Sequence, residues 1–528
     1  MVTADRSDER RTEAPTGIVT ISGDRLEQLG VRTLSDALTL LPGLEVSAAG
    51  DEGPQTSGVA LWGLREFDAY ALIVDGVPAG GAYNPNPALV PVEDIDRIEV
   101  QKGPNAVLYG QTAFAGIVQV FTKTPAAGSR LHANVTTGSL GALGGSVSVD
   151  EVHNRSVLRL AASAHRSSGW QQRANEREER LLLTWAKPAA GGGGQMRVIG
   201  QFVDRDYGFG APLPREGGGG APGFSIDANY AVRDAAIRDR IGALSFFCSR
   251  PVTSRLAVVT TFSFTADRQT RIRGFLDDTL PIAHASGSAL SPTELDVFED
   301  AHLEWHHAPG GRSGLLQAGA SYQFGRLEAE SRLFDYTVSI ANPNPPASAD
   351  LPAEEAAFLN VRNFFGAYLH EQMAISSRLM LAGGARVDVD REHERIGRDR
   401  PDEAVVLEDA ASHAAAGETI VLNGRTLELS PKHLFSGQVE YGAKSGAGAY
   451  LAWHAAGSRP VNRRNTDYAP GYQVIDAGLS YTVGRYEVVG SILNLTDSRH
   501  VVAESELADA QVYLNPPRRG SVELRVRF

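Results

Sequence analysis

The chain has 528 residues, more than one ordinary soluble domain needs and enough for two folding units. Its formal net charge of −13 leaves no basic face for neutralising phosphates, which excludes a nucleic-acid binder, and no apolar run reaches the ~18–20 residues of a membrane-spanning helix. The single cysteine, Cys248, has no partner for an internal disulfide and builds no cysteine metal centre.

In chain order, Met1–Thr16 is highly charged and lacks the apolar stretch of a signal peptide, so residues 1–16 read as a leader. Ile18–Ser22 is a short β-prone run. Asp24 is placed to cap a helix over Arg25–Leu29. Thr33 or Ser35 is placed to cap a second, whose Leu34, Ala37, Leu38 and Leu41 recur at helical spacing until Pro42-Gly43 stops it. Ala71–Val74 and Arg97–Gln101 read as strands closed by the turn signals Asp75-Gly76 and Gly103-Pro104. Residues 17–128 are therefore expected to form a compact α+β domain.

From about residue 131 the period changes to two. Leu158, Leu160, Ala162 and Ala164 oppose Arg159, Ser163 and His165. Leu316, Ala318, Ala320, Tyr322 and Phe324 oppose Gln317, Gly319, Ser321 and Gln323, and Leu379, Leu381, Ala385, Val387 and Val389 oppose Arg386, Asp388 and Asp390. Such segments, about 10 residues or longer, suit tilted strands with one face to lipid and one to water, so residues 129–528 are expected to form a transmembrane antiparallel β-barrel. About 16 strand candidates follow residue 130. Long polar stretches at 207–230, 268–293, 328–360, 392–428 and 498–518 read as extracellular loops. The chain ends on an alternating run, SVELRVRF, closed by Phe528.

The stretch Ile95–Lys123 (IDRIEVQKGPNAVLYGQTAFAGIVQVFTK) resembles the most diagnostic region of the plug of TonB-dependent outer-membrane receptors. Thr33–Val46 (TLSDALTLLPGLEV) and Ala71–Pro78 (ALIVDGVP) resemble the earlier plug segments. The resembling positions are Asp75, Gly76, Arg97, Glu99, Lys102, Gly103, Pro104, Tyr109, Gly110 and Gly116, with Gly103, Gly110 and Gly116 serving where a Cβ would clash. Tyr472–Asp497 resembles the family's penultimate hairpin. Phe528 resembles its C-terminal barrel-assembly signal, and Val2, Thr3 and Ala4 resemble the end of its TonB box.

The resemblance implies an α+β plug inside a barrel in the outer membrane of a Gram-negative bacterium. It also implies TonB, with its inner-membrane energising complex, as partner, lipid around the barrel, and a small-molecule ligand of metal-chelate type. Plugged transporters have ~22 strands, so the barrel reads as shortened. The function implied is energy-coupled import of a scarce ligand, foremost a ferric siderophore. The alternative is a passive pore or ligand-binding protein that has lost energised transport. No enzyme and no cofactor is expected: there is no GxSxG elbow, and Gly191–Gly194 and Gly217–Gly220 lack the context of a phosphate loop.

Possible ligand contacts are Trp62, Arg65, Tyr70, Tyr83 and Asn84, aromatic and polar groups near expected plug loop tips. His302, Glu304 and His306 share one strand face and are the weak candidates for a metal. A water-facing polar stripe, with Trp305 in an aromatic girdle on the other face, is the reading adopted.

Overall fold

The computed structural model describes residues 18–31, 33–41, 44–53, 59–61, 70–83, 86–87, 90, 92–103, 106–110, 113, 115–124, 128–188, 194–216, 219–376, 379–398, 431–442, 446–461, 465, 467–505 and 511–528. The N-terminal part holds β1 (Ile18–Ser22), α1 (Gly23–Gln28), α2 (Leu34–Thr39), β2 (Leu44–Val46), β3 (Val59–Leu61), β4 (Tyr70–Val74), β5 (Val77–Pro78), β6 (Ile95–Lys102), α3 (Ala106–Tyr109) and β7 (Gly116–Thr122). Thr33 caps α2, its hydroxyl accepting from the Asp36 N–H at 3.0 Å. The cap of α1 is Ser22 rather than the expected Asp24. Ser22 is still extended, so its hydroxyl reaches back to the Arg25 N–H, while Asp24 already lies in the first turn.

Five of these strands form a sheet in the order β1-β6-β7-β4-β5, with β4 and β7 parallel. One face of its central strands is apolar throughout, while the other mixes apolar residues with the buried Glu99, Gln101 and Gln119. Leu72, Ile98, Val118 and Val120 pack with Leu26 and Leu38 of the helices, while Ala71, Ile73 and Ile117 pack on the other side. Among the described residues the main core takes in Val203 and Ile241 alone from beyond β7, so the plug carries its own hydrophobic core.

Sixteen longer strands form one antiparallel ladder. In chain order they and the short strands among them are β8 (Arg130–Gly138), β9 (Leu143–His153), β10 (Ser156–Ser167), β11 (Glu176–Pro188), β12 (Gln195–Gly208), β13 (Leu213–Glu216), β14 (Gly219–Gly220), β15 (Ala236–Pro251), β16 (Leu256–Leu276), β17 (Ile282–His307), β18 (Gly314–Ser339), β19 (Glu354–Ser376), β20 (Leu379–Arg398), β21 (Leu434–Gly442), β22 (Gly446–Ala456), β23 (Arg459–Pro460), β24 (Tyr468–Ala469), β25 (Tyr472–Val483), β26 (Tyr486–Leu493), β27 (Val501–Glu504), β28 (Gln511–Leu514) and β29 (Arg519–Arg527). The last strand, β29, pairs with the first, β8, and the described ladder ends at β20 and β21.

The greasy faces point outward. Leu160, Val387, Leu381, Val522 and Leu524 are exposed, whereas Arg159, Gln317, Ser321 and Arg525 on the opposite faces are buried against the interior. Trp305, Tyr441, Tyr481, Tyr486 and Phe528, all exposed, ring the end carrying the short turns, as an interfacial girdle does. The short turns are 154–155, 252–255 and 484–485, against connections such as 209–235 and 494–518, which places the long set outside the cell.

The expected loops are corrected in three places. Strands β16 and β17 extend to Leu276 and Ile282, and β18 and β19 to Ser339 and Glu354, so most of 268–293 and 328–360 is paired strand. Above the bilayer both faces of a strand meet water, so the two-faced pattern vanishes although the pairing continues. The stretches 207–230 and 498–518 contribute β13, β14, β27 and β28, which form a four-stranded sheet. Of the expected loop 392–428, Glu392–Arg398 belongs to β20, while 399–430 lie outside the described residues.

Candidate functional site: the plug seat and the capped mouth

The outer connections fold over the mouth around their own apolar core. Phe209, Leu213, Tyr230, Val232, Phe275, Phe334, Tyr336, Val461, Val512 and Leu514 come together from the 209–235 connection, the tips of β16 to β18, and the 457–471 and 494–518 connections. Deeper in the same cap, His500 stacks on Tyr472 at 3.7 Å, and Arg499 lies 4.2 Å over the ring of Trp170. Burial, and then Arg459, hold the His500 imidazole down to about 3.

The cap is bonded to the apex of the plug. Tyr513 donates to Asp51 at 2.6 Å, Ser505 donates to the same carboxylate at 2.8 Å, and Ser47 donates to the Val502 carbonyl at 3.0 Å. Glu52 pairs with Arg271 at 2.6 Å and Arg273 at 3.0 Å. Burial, reinforced by Asp51, pushes the Tyr513 hydroxyl well up, so it remains a donor.

Lower down, charged groups tie the plug to the wall. Asp75 and Gly76 both have positive φ, the backbone of a tight hairpin turn, and the turn is also a joint. The Asp75 carboxylate accepts from the Thr122 N–H and hydroxyl of the plug and from Arg197 of β12 at 2.8 Å. Asp94 accepts from Arg159 of β10 at 2.6 Å, and Arg159 also donates to Asp150 of β9 at 2.7 Å. Glu27 bonds Lys123 and, at 3.2 Å, Arg527 of β29. Burial works to raise the Glu27 carboxyl, but Lys123, Arg525 and Arg527 outweigh it and hold the group below the usual carboxylate range.

At the plug's Gly80-Gly81 loop, a Cβ on Gly81 would overlap the Asp296 carboxylate, which accepts the Ala82 N–H at 2.7 Å. Tyr83 beside it donates to the Asn360 carbonyl at 2.9 Å and lies under Arg362, so it packs on the wall of β19. Burial, together with Asp296 and Glu294, pushes its hydroxyl up.

Of the other expected contacts, Tyr70 is only 1% exposed in the plug core and presents no surface to a ligand, because a β4 residue flanked by two apolar layers faces neither mouth nor wall. Trp62, Arg65 and Asn84 lie outside the described residues, as do Val2, Thr3, Ala4 and Pro104. The expected Cβ clash holds at Gly116, where a Cβ would sit 2.6 Å from the Gln101 carbonyl; at Gly103 and Gly110 there is room for a Cβ, and it is the positive φ that calls for glycine. Arg97 bonds Glu99 at 2.7 Å and lies over Phe121, Gln119 donates to Tyr109, and Lys102 ends β6.

His302 is buried beside Asp300 at 2.9 Å, with Glu304 at 3.5 Å, whereas His306 is exposed, so the three do not converge. Among the described residues no group of three or more His, Cys, Asp or Glu is placed to hold a metal. Sequence reasoning did not single out Asp51, Glu52, Asp94, Arg159 and Asp296. Arg159 was visible only as one member of a polar strand face, and nothing in the local sequence names its partner.

Residues 10–117 match the family model described as TonB-dependent Receptor Plug Domain. Two curated relatives, both named Vitamin B12 transporter BtuB, come from Vibrio vulnificus. One is 36% identical over 127 residues, 23% of this chain and 20% of that protein. The other is 31% identical over 176 residues, 32% and 28% of the two chains. The matched sequence therefore spans less than a third of these relatives' length.

Among solved structures, the ferric-catecholate import receptor Fiu from E. coli K12 superimposes with a TM-score of 0.79 at 14% identity, covering 98% of this chain and 97% of that one. The ferripyoverdine receptor of the Pseudomonas aeruginosa outer membrane gives 0.72 at 13% identity, covering 100% and 88%. At such identities the likeness is one of fold. It extends over nearly all of Fiu, which corrects the expectation of a shortened barrel: plug and barrel are present at nearly full extent. Residues 10–117 thus carry the plug domain of TonB-dependent receptors, and with the greasy-skinned barrel around it the chain has the plug-and-barrel fold of such outer-membrane receptors.

Proposed function

We propose that the protein is an import receptor for a scarce metal chelate of the ferric-siderophore class, taken up by TonB-driven rearrangement of the plug. The observation that carries this reading is the plug itself, a domain with its own core held to the wall chiefly by ion pairs and hydrogen bonds, hence able to shift without unfolding. Receptors of similar fold are named for ferric-catecholate and ferripyoverdine, which favours a siderophore, whereas the sequence relatives are named for vitamin B12.

In this reading the chain divides into a leader at 1–16, the plug at 17–128 and the barrel at 129–528. Val2, Thr3 and Ala4 meet TonB by strand addition. Phe528 signals barrel assembly, and Tyr83, with Trp62, Arg65 and Asn84, serves the ligand side of the plug. Binding of ferric siderophores, cobalamin and haem to the full chain in detergent tests the ligand class, and uptake in cells with and without TonB tests the energy coupling. Retention of a ferric siderophore with TonB-dependent uptake is expected. Uptake indifferent to TonB, with an open conductance in the native protein, would instead favour the passive pore.

A further inference from the structure

A carboxyl side chain stands on the lipid face far from either edge of the apolar band. Along β17 the outward residues are Trp305, Leu303, Ala301, Glu299, Val297 and Leu295, and Glu299 is exposed, as Ala301 and Leu303 are. Trp305 belongs to the inner girdle, while Leu295 pairs with the outward Arg326 of β18, which marks the outer edge. At ~3.4 Å per residue and a tilt near ~45°, the strand rises about 24 Å between these two levels, and Glu299 lies about 14 Å up, near the midplane.

Other charged groups of this face lie toward its edges and are paired, Arg326 with Glu328 and Glu371 with His307 at 2.8 Å. Glu299 has no hydrogen bond or ion pair among the described residues. Tyr322, directly opposite it on β18, donates instead to Asn363 at 2.8 Å. A carboxyl turned to hydrocarbon without a partner is costly, and a group retained there marks a contact rather than bare lipid surface. Beside it Ala301, Ala320 and Ala367 share one rung of the ladder, a shallow floor below Tyr322 and Phe365 that lets another surface come close.

We infer that the outer face of β16 to β19 is where a second copy of this chain docks in the membrane, with the Glu299 carboxyls of the two copies hydrogen-bonded to each other. Copies standing upright in one bilayer are related by an axis along the membrane normal, so a residue beside that axis meets its own counterpart at the same depth. The group at the midplane must then complement itself. A carboxylic acid does so, because each of two facing acids carries a donor and an acceptor, whereas a lipid tail offers neither. Four strands at ~4.8 Å spacing make a face about 19 Å wide, so two copies together bury roughly 900 Å², the size of a weak, reversible contact. The contact lies on the outside of the barrel and does not depend on the import reading.

The experiment is disulfide trapping in outer membranes containing the full chain, with Cys248→Ser removing the native thiol. Ala320→Cys puts a thiol at the centre of the face, and Leu160→Cys puts one on the lipid face of a distant strand, β10. After oxidation with copper phenanthroline, Ala320→Cys is expected to give a band of twice the chain's mass about tenfold faster than Leu160→Cys. Adding Glu299→Leu should slow that trapping about tenfold, while Glu299→Gln, whose amide also offers a donor and an acceptor, should leave it near the parent rate. Folding of each variant is checked by its faster migration on unheated gels, and Glu299→Leu only adds an apolar side chain to a lipid face.

Trapping of Ala320→Cys no faster than that of Leu160→Cys, or unslowed by Glu299→Leu, would show that this face meets lipid alone and overturn the proposal. Slowing by Glu299→Gln equal to that by Glu299→Leu overturns the mutual hydrogen bond. A band joining Ala320→Cys to a different outer-membrane protein, with none at twice the chain's mass, overturns the second copy as occupant.

Discussion

Strand β11 offers a direct test of how the barrel sits in the bilayer. On its outer face the order is Glu179, Leu181, Leu183, Trp185 and Lys187, so the apolar stretch lies between two charges with Leu183 at its middle. From Glu179 to Lys187 is a span of about eight residue-to-residue steps. At ~3.4 Å each and a tilt near ~45° they cover about 19 Å along the membrane normal, slightly under the ~25 Å apolar band of such barrels. Leu183, 40% exposed and flanked by outward Leu160 on β10, therefore lies near the midplane.

An arginine at that depth costs about 2–4 kcal/mol, a shift of roughly 30- to 700-fold in the folding equilibrium, whereas one near the interface costs only about 0–1 kcal/mol. Leu143, outward on β9 and next to the 139–142 turn, is the interfacial comparison. Denaturant unfolding in vesicles, followed by tryptophan fluorescence, should show Leu183→Arg destabilised by that larger amount and Leu143→Arg barely changed. Equal losses, or the reverse order, would mean that the apolar face does not contact hydrocarbon as argued.

Tyr513→Phe removes the hydroxyl donated to Asp51 at 2.6 Å, a bond to a charged group of about 1.5–3 kcal/mol, and should speed amide exchange in β28. Unchanged exchange would show that this contact does not fasten the cap. His500 is held neutral to about pH 3, while an unfolded histidine titrates near ~6.5. Below ~6.5 the unfolded state takes up a proton that the folded cap refuses, so the stability His500 contributes above that pH is progressively lost down to about 3. Trp170 fluorescence should report this acid loosening, and His500→Phe, which keeps a ring against Tyr472, should blunt it. Leu26→Ala in the plug core, where Leu26 is fully buried, should cost about 2–5 kcal/mol, seen as protease cleavage of the plug with the barrel intact.

The lipid-facing strands were legible in the sequence because lipid and water impose opposite demands on alternate residues, as at Leu158 against Arg159 or Val387 against Arg386. The short plug strands were legible from their turn signals, Asp75-Gly76 above all. The upper halves of β16 to β19 were not, since a strand wet on both faces carries no alternation. The cap was hidden for a related reason: Leu213, Val461 and Val512 lie in three different polar stretches, and only tertiary folding brings them together. The partners of the plug were equally illegible. Arg159 bonds Asp94 across 65 residues and Arg197 bonds Asp75 across 122, separations set by how the plug is turned inside the cylinder rather than by any local pattern.

That division has a mechanical consequence. Apolar contact is lost in proportion to the area exposed, whereas a buried ion pair is nearly balanced by the desolvation of its members, so once water enters, its opening costs far less than the bare attraction suggests. The plug meets the wall through buried pairs at Asp94 and Asp75 and a more exposed one at Glu27, and among the described residues its main apolar core takes in Val203 and Ile241 of the wall. The cap is built the other way, with its apolar core shared among several connections. A pull on the plug from the inner side would thus meet ties that hydrate as they part, while Asp51 and Glu52 carry the displacement to Tyr513, Arg271 and Arg273 above. In the import reading, plug movement would strain the cap at once, because the acidic turn at the plug's apex is bonded to it.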